Sequence, residues 1–122
     1  LGVSERVSFL QGSLYTPLAK AQVSKFDLIA SNPPYLSPEE MAALPPDVKK
    51  EPAIALAGGK DGLQFYREIA LQAKKYLAPD GHVLVEIGYQ QAMAVIGILQ
   101  KWGLIPLRIL RDLEGRDRVV AY

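Results

Sequence analysis

The chain has 122 residues, 49% hydrophobic and 22% charged, enough for one globular domain with a real core and too apolar for a disordered segment. Its 14 basic and 13 acidic residues leave a net charge of +1 with no basic stripe beyond the pairs Lys49-Lys50 and Lys74-Lys75, so nucleic acid is not an expected partner. With no cysteine and one histidine, a disulfide framework and a Cys/His metal site are excluded, and no apolar run approaches the ~20 residues of a membrane span.

No charged-then-apolar signal segment opens the chain, so a cytoplasmic protein is expected. The first residue is a leucine, and residues 1–6 read as the exposed tail of an element whose body lies elsewhere, as a fragment would show. Val7-Ser8-Phe9-Leu10-Gln11 has the partial alternation of a short strand, ended by Gly12. Residues 12–18 read as a loop, followed by a polar stretch to Lys25. Phe26-Asp27-Leu28-Ile29-Ala30-Ser31 is the next strand, buried and central, and it runs directly into Asn32-Pro33-Pro34-Tyr35.

After Tyr35, Ser37 with Pro38, Glu39 and Glu40 supplies a hydroxyl cap, a proline at the first helical position and acids in the first turn, and so predicts a helix. Pro45-Pro46 stops it. A loop then leads to Gly58-Gly59-Lys60-Asp61-Gly62, where Asp61 and Gln64 predict a capping box for a helix with the apolar stripe Leu63, Tyr66, Ile69, Ala70, Ala73 and Leu77. Pro79-Asp80-Gly81 is expected to break that helix before a strand over 82–88, which is apolar enough to be buried on both faces and is opened by His82. Ala92, Val95, Ile96, Leu99 and Trp102 recur at helical spacing, with Trp102 in core or groove packing and Gly103 as the terminating glycine. Residues 104–111 and 118–122, joined by Asp112-Leu113-Glu114-Gly115-Arg116-Asp117, predict an antiparallel hairpin. The element order is that of an α/β layer fold.

The chemistry lies in Asn32-Pro33-Pro34-Tyr35. In open α/β sheets ligands bind outside the carboxyl ends of the strands, which is where these four residues fall. Each proline restricts the residue before it, so the turn is held extended. Prolines carry no N–H, so the turn offers main-chain carbonyl acceptors, to which the Asn32 side-chain oxygen adds another. Tyr35 supplies a flat apolar face for a planar amide or base. The bland alternative is a strand-terminating turn. A second candidate, Gly58 to Gly62 as a phosphate loop, lacks the G-x-G-x-x-G spacing, and no G-x-G occurs anywhere in the chain.

Directly after a strand, N-P-P-Y resembles the substrate-binding signature of S-adenosylmethionine-dependent methyltransferases acting on amino groups conjugated to planar systems. The ordered set Asn32-Pro33-Pro34-Tyr35, Glu51-Pro52, Ala55-Leu56, Gly58-Gly59, Asp61-Gly62-Leu63, Phe65-Tyr66-Arg67, Glu86-Ile87-Gly88, Arg111-Asp112 and Arg118-Val119 resembles the C-terminal part of the release-factor glutamine methyltransferase family (PrmC/HemK). The resemblance implies a partial class I methyltransferase sheet with a C-terminal antiparallel hairpin, its first two strands and glycine-rich cofactor loop missing, so that residues 1–122 form the C-terminal portion of one catalytic domain. It implies S-adenosyl-L-methionine as cofactor, touched by Ser13, Leu14 and Asn32, where the family often has an acid at the position of Ser13. It implies a peptide chain release factor as partner, whose glutamine amide is held by Asn32, Pro33, Pro34 and Tyr35. Asn32 and the Pro33 carbonyl would accept the two amide N–H groups. Glu51 and Glu86 are acids near the site that no step requires as a base. Ribosomal-protein glutamine methylation, adenine-N6 methylation and a catalytically silent remnant are the alternatives. Residues 82–88 are expected beside 26–31 in the sheet, with 7–11 detached or re-paired.

Overall fold

The computed structural model describes residues 2–23 and 25–122; Leu1, in the expected tail, and Ser24, in the expected polar stretch, lie outside the described residues. The order of elements is α1 (Thr16–Lys20), β1 (Phe26–Ser31), α2 (Pro38–Ala42), α3 (Gln64–Tyr76), β2 (Leu77–Glu86), α4 (Ala92–Lys101), β3 (Arg108–Arg111) and β4 (Asp117–Ala121). The four strands form one sheet in the order β1-β2-β4-β3. β1, expected to be buried and central, is instead an edge strand with no fully buried residue, because among the described residues it pairs only with β2 and neither α3 nor α4 covers its outer face. β1 and β2 run parallel, with Ile29 opposite Val83 and Ser31 opposite Val85, as expected of residues 26–31 and 82–88. β4 is antiparallel to both β2 and β3, so the last two strands form the expected hairpin.

Helices α3 and α4 cover one face. Tyr66, Ile69, Ala70 and Ala73 of the stripe predicted for α3, joined by Tyr76, and Ala92, Val95 and Leu99 of that predicted for α4 pack against Val83, Val85, Ile87 and Val120. Leu63 and Leu77, expected within the α3 stripe, lie outside the helix, Leu63 as its cap and Leu77 as the first residue of β2. The opposite face is open: Leu28 is 54% exposed, Ala30 is exposed and Leu84 is half-buried. β2 is therefore not buried on both faces as its apolar run suggests; its residues alternate, because both helices lie on one side of the sheet.

Other expectations give way to non-local facts. Residues 7–11 form no strand, and Phe9 is 91% exposed, because among the described residues no ladder partner lies beside them. The expected loop at 12–18 closes into α1, since Pro17 sits in the first turn, where a missing N–H costs nothing. Tyr15, which leads into α1, is buried and stacked on Tyr76 with ring centroids 4.9 Å apart, and its hydroxyl pKa is pushed up to about 12 by burial and then by the neighbouring Tyr76. Pro79-Asp80-Gly81 does not precede β2 but bulges within it, between the Phe26–Leu77 and Leu28–His82 pairings, with Asp80 at φ 61°. His82 thus lies inside the strand, its Nδ1 3.1 Å from the Tyr122 carbonyl.

Local chemistry sets the ends of the elements. In α2 the expected cap is complete: the Glu40 N–H donates to Ser37 Oγ at 3.3 Å, and the Ser37 N–H donates to Glu40 Oε2 at 2.8 Å. The capping box expected of Asp61 and Gln64 is absent. Leu63 caps α3 without its side chain, Asp61 Oδ1 accepts from the Leu63 N–H at 3.0 Å and Asp61 pairs with Arg67, while Gln64 turns to Glu68. Gly103 terminates α4 at φ +77°, and Trp102, 47% exposed, lies with Leu71 and Ile98 in the groove between α3 and α4. In the hairpin turn, Asp112 Oδ1 accepts from the Glu114 and Arg116 N–H groups and Oδ2 from Arg118 Nε.

Candidate active site at the tips of the parallel strands

Asn32-Pro33-Pro34-Tyr35 emerges from the carboxyl end of β1, beside the carboxyl end of β2. Asn32 is exposed, Pro33 is buried, and Pro34 and Tyr35 are half-buried. All four line one cavity of about 620 Å³, which the segment after α2 roofs with Val48, Ile54, Ala55 and Leu56. Glu51 and Glu86 complete the lining; no lysine or arginine is among the lining residues. The Pro33 carbonyl accepts no backbone hydrogen bond among the described residues, which leaves it available to a ligand.

The far end of the turn is held by backbone. The Leu36 N–H donates to the Leu56 carbonyl at 3.0 Å, the Gly58 N–H donates to the Leu36 carbonyl at 2.8 Å, and Leu36 pairs with Ala57 in an isolated parallel bridge. Gly58 packs so closely that a Cβ there would stand 2.8 Å from the Tyr35 Cα. The glycines of the candidate phosphate loop are thus used to bring two backbones together. Residues 48–50 and 53–55 add single 3-10 turns where only a loop was expected.

Tyr35 is polarised by its surroundings. Burial, and then the neighbouring Glu86 carboxylate, raise the hydroxyl pKa, against a weaker pull from Arg118. Tyr35 is therefore a neutral donor whose ring closes one wall of the cavity. Glu86 is fixed through its main chain by Tyr66, a residue legible in the sequence only as part of an apolar stripe.

The residues expected to meet a cofactor are divided. Leu14, at φ 46°, joins Tyr15, Leu18, Ile29, Ala30, Ser31 and Ile69 around a mostly apolar hollow of about 170 Å³ beside β1. Asn32 lies at the tip of the same strand, with Ala30, Ser31, Leu84 and Glu86 around a second opening. Ser13 is exposed and lines neither; its carbonyl accepts the Thr16 N–H. A hollow of that size and lining is large enough for one face of a planar ring. Sequence reasoning missed Gln91, which follows β2 and reaches Tyr35; the available signal was its place in the loop at the tip of the strand parallel to β1.

This fold, with its site at the carboxyl tips, is that of class I S-adenosylmethionine-dependent methyltransferases. A protein-(glutamine-N5) methyltransferase (release factor-specific) from Alicyclobacillus acidocaldarius has a similar structure, with a TM-score of 0.51 and 33% identity over 80% of this chain and 47% of that one. No family model matches the chain. Release factor glutamine methyltransferases from Cereibacter sphaeroides and Geobacter sulfurreducens are 43% and 45% identical to it over 122 and 117 residues, which are 99% and 95% of this chain. The chain is homologous, over nearly its whole length, to the C-terminal part of the release factor glutamine methyltransferase family. It spans about two fifths of the length of these two relatives, 42% and 40%. Among the described residues no helix is long and apolar enough to cross a membrane.

Proposed function

We propose that this chain is the substrate-holding C-terminal portion of a protein-(glutamine-N5) methyltransferase that acts on peptide chain release factors. The observation that carries the proposal is the placement of Asn32, Pro33, Pro34 and Tyr35 together in one cavity at the carboxyl tip of β1. An amide nitrogen is a poor nucleophile because its lone pair is delocalised into the carbonyl, so the site acts chiefly by position. The Asn32 side-chain oxygen and the Pro33 carbonyl accept the two N–H groups of the substrate amide, and Tyr35 packs on its plane. Alignment of this kind supplies up to ~7–11 kcal/mol in favourable cases.

When bound, S-adenosylmethionine supplies an electrophilic methyl group on a sulfonium. The nitrogen–methyl bond would form as the methyl–sulfur bond breaks to leave a neutral thioether. The positive charge that grows on the nitrogen is stabilised by the two carbonyl acceptors, with Glu51 and Glu86 lining the same cavity, and is discharged as one N–H proton passes to water. The same pair of acids and the lack of a cationic lining residue favour a protein amide over an adenine in nucleic acid, whose phosphates such a wall repels. Leu14 and the Ala30–Ser31 tip give the cofactor one flank.

A fusion of this chain behind the N-terminal part of the Geobacter sulfurreducens relative tests the proposal. Incubated with labelled S-adenosylmethionine and a release factor, it should place one methyl group on a glutamine side chain, located by mass spectrometry of the peptides. Label in DNA adenine, or in neither substrate from a fusion that folds and binds cofactor, would overturn it.

A further inference from the structure

We infer that Gln91 is a positioning residue for methyl transfer: its side-chain amide pins the Tyr35 carbonyl and thereby aims the substrate acceptors of the Asn32–Tyr35 turn. The inference deepens the function proposed above and rests on it. Gln91 precedes α4, where its own N–H donates to the Gly88 carbonyl at 2.9 Å and its carbonyl accepts from Val95. Its side chain turns back rather than out. Oε1 accepts from the Gly88 N–H at 3.0 Å, and Nε2 donates to the Tyr35 carbonyl at 2.9 Å and to the Gly62 carbonyl at 3.3 Å. One neutral amide thus ties the loop after β2, the Asn32–Tyr35 turn and the glycine loop before α3.

No other side chain suits these three partners. They are one N–H and two carbonyls, so the tie needs one acceptor and two donors on a single planar group. Glutamate has the same shape but sets an acceptor against two carbonyls, and asparagine is one methylene short. The surroundings are cleared for it. A Cβ on Gly62 would stand 2.5 Å from the Tyr35 oxygen and 2.9 Å from Gln91 Nε2, and one on Gly88 would stand 3.0 Å from Gln91 Oε1.

The consequence for the turn is geometric. Pro33 and Pro34 have fixed φ, so the direction of the Pro33 carbonyl depends on how the two ends of the turn are held. One end is Ser31, paired with Val85 in the sheet. The other is the peptide joining Tyr35 to Leu36, whose N–H is taken by Leu56 and whose carbonyl is taken by Gln91. Removing Gln91 leaves the Leu36–Leu56 bond to hold that plane alone, so the bond opens more often and the carbonyl end of the turn loosens.

The test compares wild type with Gln91→Glu and Gln91→Met, in hydrogen exchange on the chain itself and in steady-state kinetics on the fusion described above. A misplaced reacting group costs about a hundredfold, so kcat should fall by that order with the KM for S-adenosylmethionine unchanged. Exchange at the Leu36 amide should rise about tenfold, while the Val83 and Val85 amides hold. Unchanged exchange at Leu36, or wild-type kcat in either variant, would overturn the inference. A loss of kcat accompanied by equal loosening of β2 would also overturn it, since the role would then be structural. If the unsubstituted fusion is inactive, the functional proposal fails, and exchange at Leu36 alone judges the tie.

Discussion

The Tyr66 hydroxyl donates a 2.8 Å hydrogen bond to the main-chain carbonyl of Glu86, so the first turn of α3 is fastened to the last residue of β2. Burial, then the charges near Tyr35 and Glu86, push the Tyr66 hydroxyl pKa up, which keeps it a donor. Tyr66→Phe fills the same space and leaves that carbonyl without its partner, which should cost about 1–3 kcal/mol. Urea unfolding of the two chains measures it, and stability within ~0.5 kcal/mol of wild type would show that the bond contributes nothing.

Asn32→Ala should leave folding intact, because Asn32 is exposed. In the fusion it should lower kcat by about 10²–10³, the loss seen when one oriented polar group is removed from a reacting centre. Cofactor binding, followed by calorimetry in the same protein, should change little. Turnover close to that of wild type would remove Asn32 from the mechanism.

Under the proposed function, the chain alone would give S-adenosylmethionine one flank, at Leu14 and the β1 tip. A few contacts cannot offset the several kcal/mol lost as two molecules associate. Calorimetric titration should find a Kd no better than millimolar, about −4 kcal/mol. Micromolar binding would mean the cofactor sits elsewhere, with Gly58 to Gly62 the first place to look.

Acid should weaken the start of α3 in a defined window. The Arg67 hydrogen bond, followed by the Leu63 N–H, lowers the Asp61 pKa from 3.8 to about 2. A carboxylate with a depressed folded pKa stabilises fully above its unfolded value and loses that contribution as the pH falls through its folded one. Stability should therefore drop between pH 3.8 and about 2. Asp61→Asn should flatten that limb of a melting-temperature profile slightly, since the pair is solvent-exposed. An identical acid limb in both proteins would show that Asp61 carries none of it.

What the sequence discloses is what neighbouring residues decide among themselves. The Ser37 and Glu40 cap, the glycine after α4 and the Asp112 turn close over a few residues, and all are legible. So is the Asn32–Tyr35 turn, whose rigidity its own prolines supply. Gln91 is not, because its partners stand 56 and 29 residues away and an isolated glutamine before a helix carries no mark. Residues 7–11 mislead in the opposite sense: alternation is a local pattern, whereas a strand exists only where another lies beside it. β2 misleads because an apolar run shows what could be buried on two faces, while the packing of α3 and α4 determines that one is.

β1 stands at the border of the sheet and among the described residues pairs only with β2. Its outer row of N–H and C=O groups is therefore an unused template, six residues long, without a proline and with Asp27 as its one charge. Leu28 and Ala30 beside it add an exposed apolar strip. Natural sheets blunt such borders with lysines, prolines or bulges, and the tip-ward half of this one has none of them. As a separate species the chain should therefore self-associate along the strand that carries Asn32 at its tip, and a sedimentation profile that does not change with concentration would show that this border stays clear.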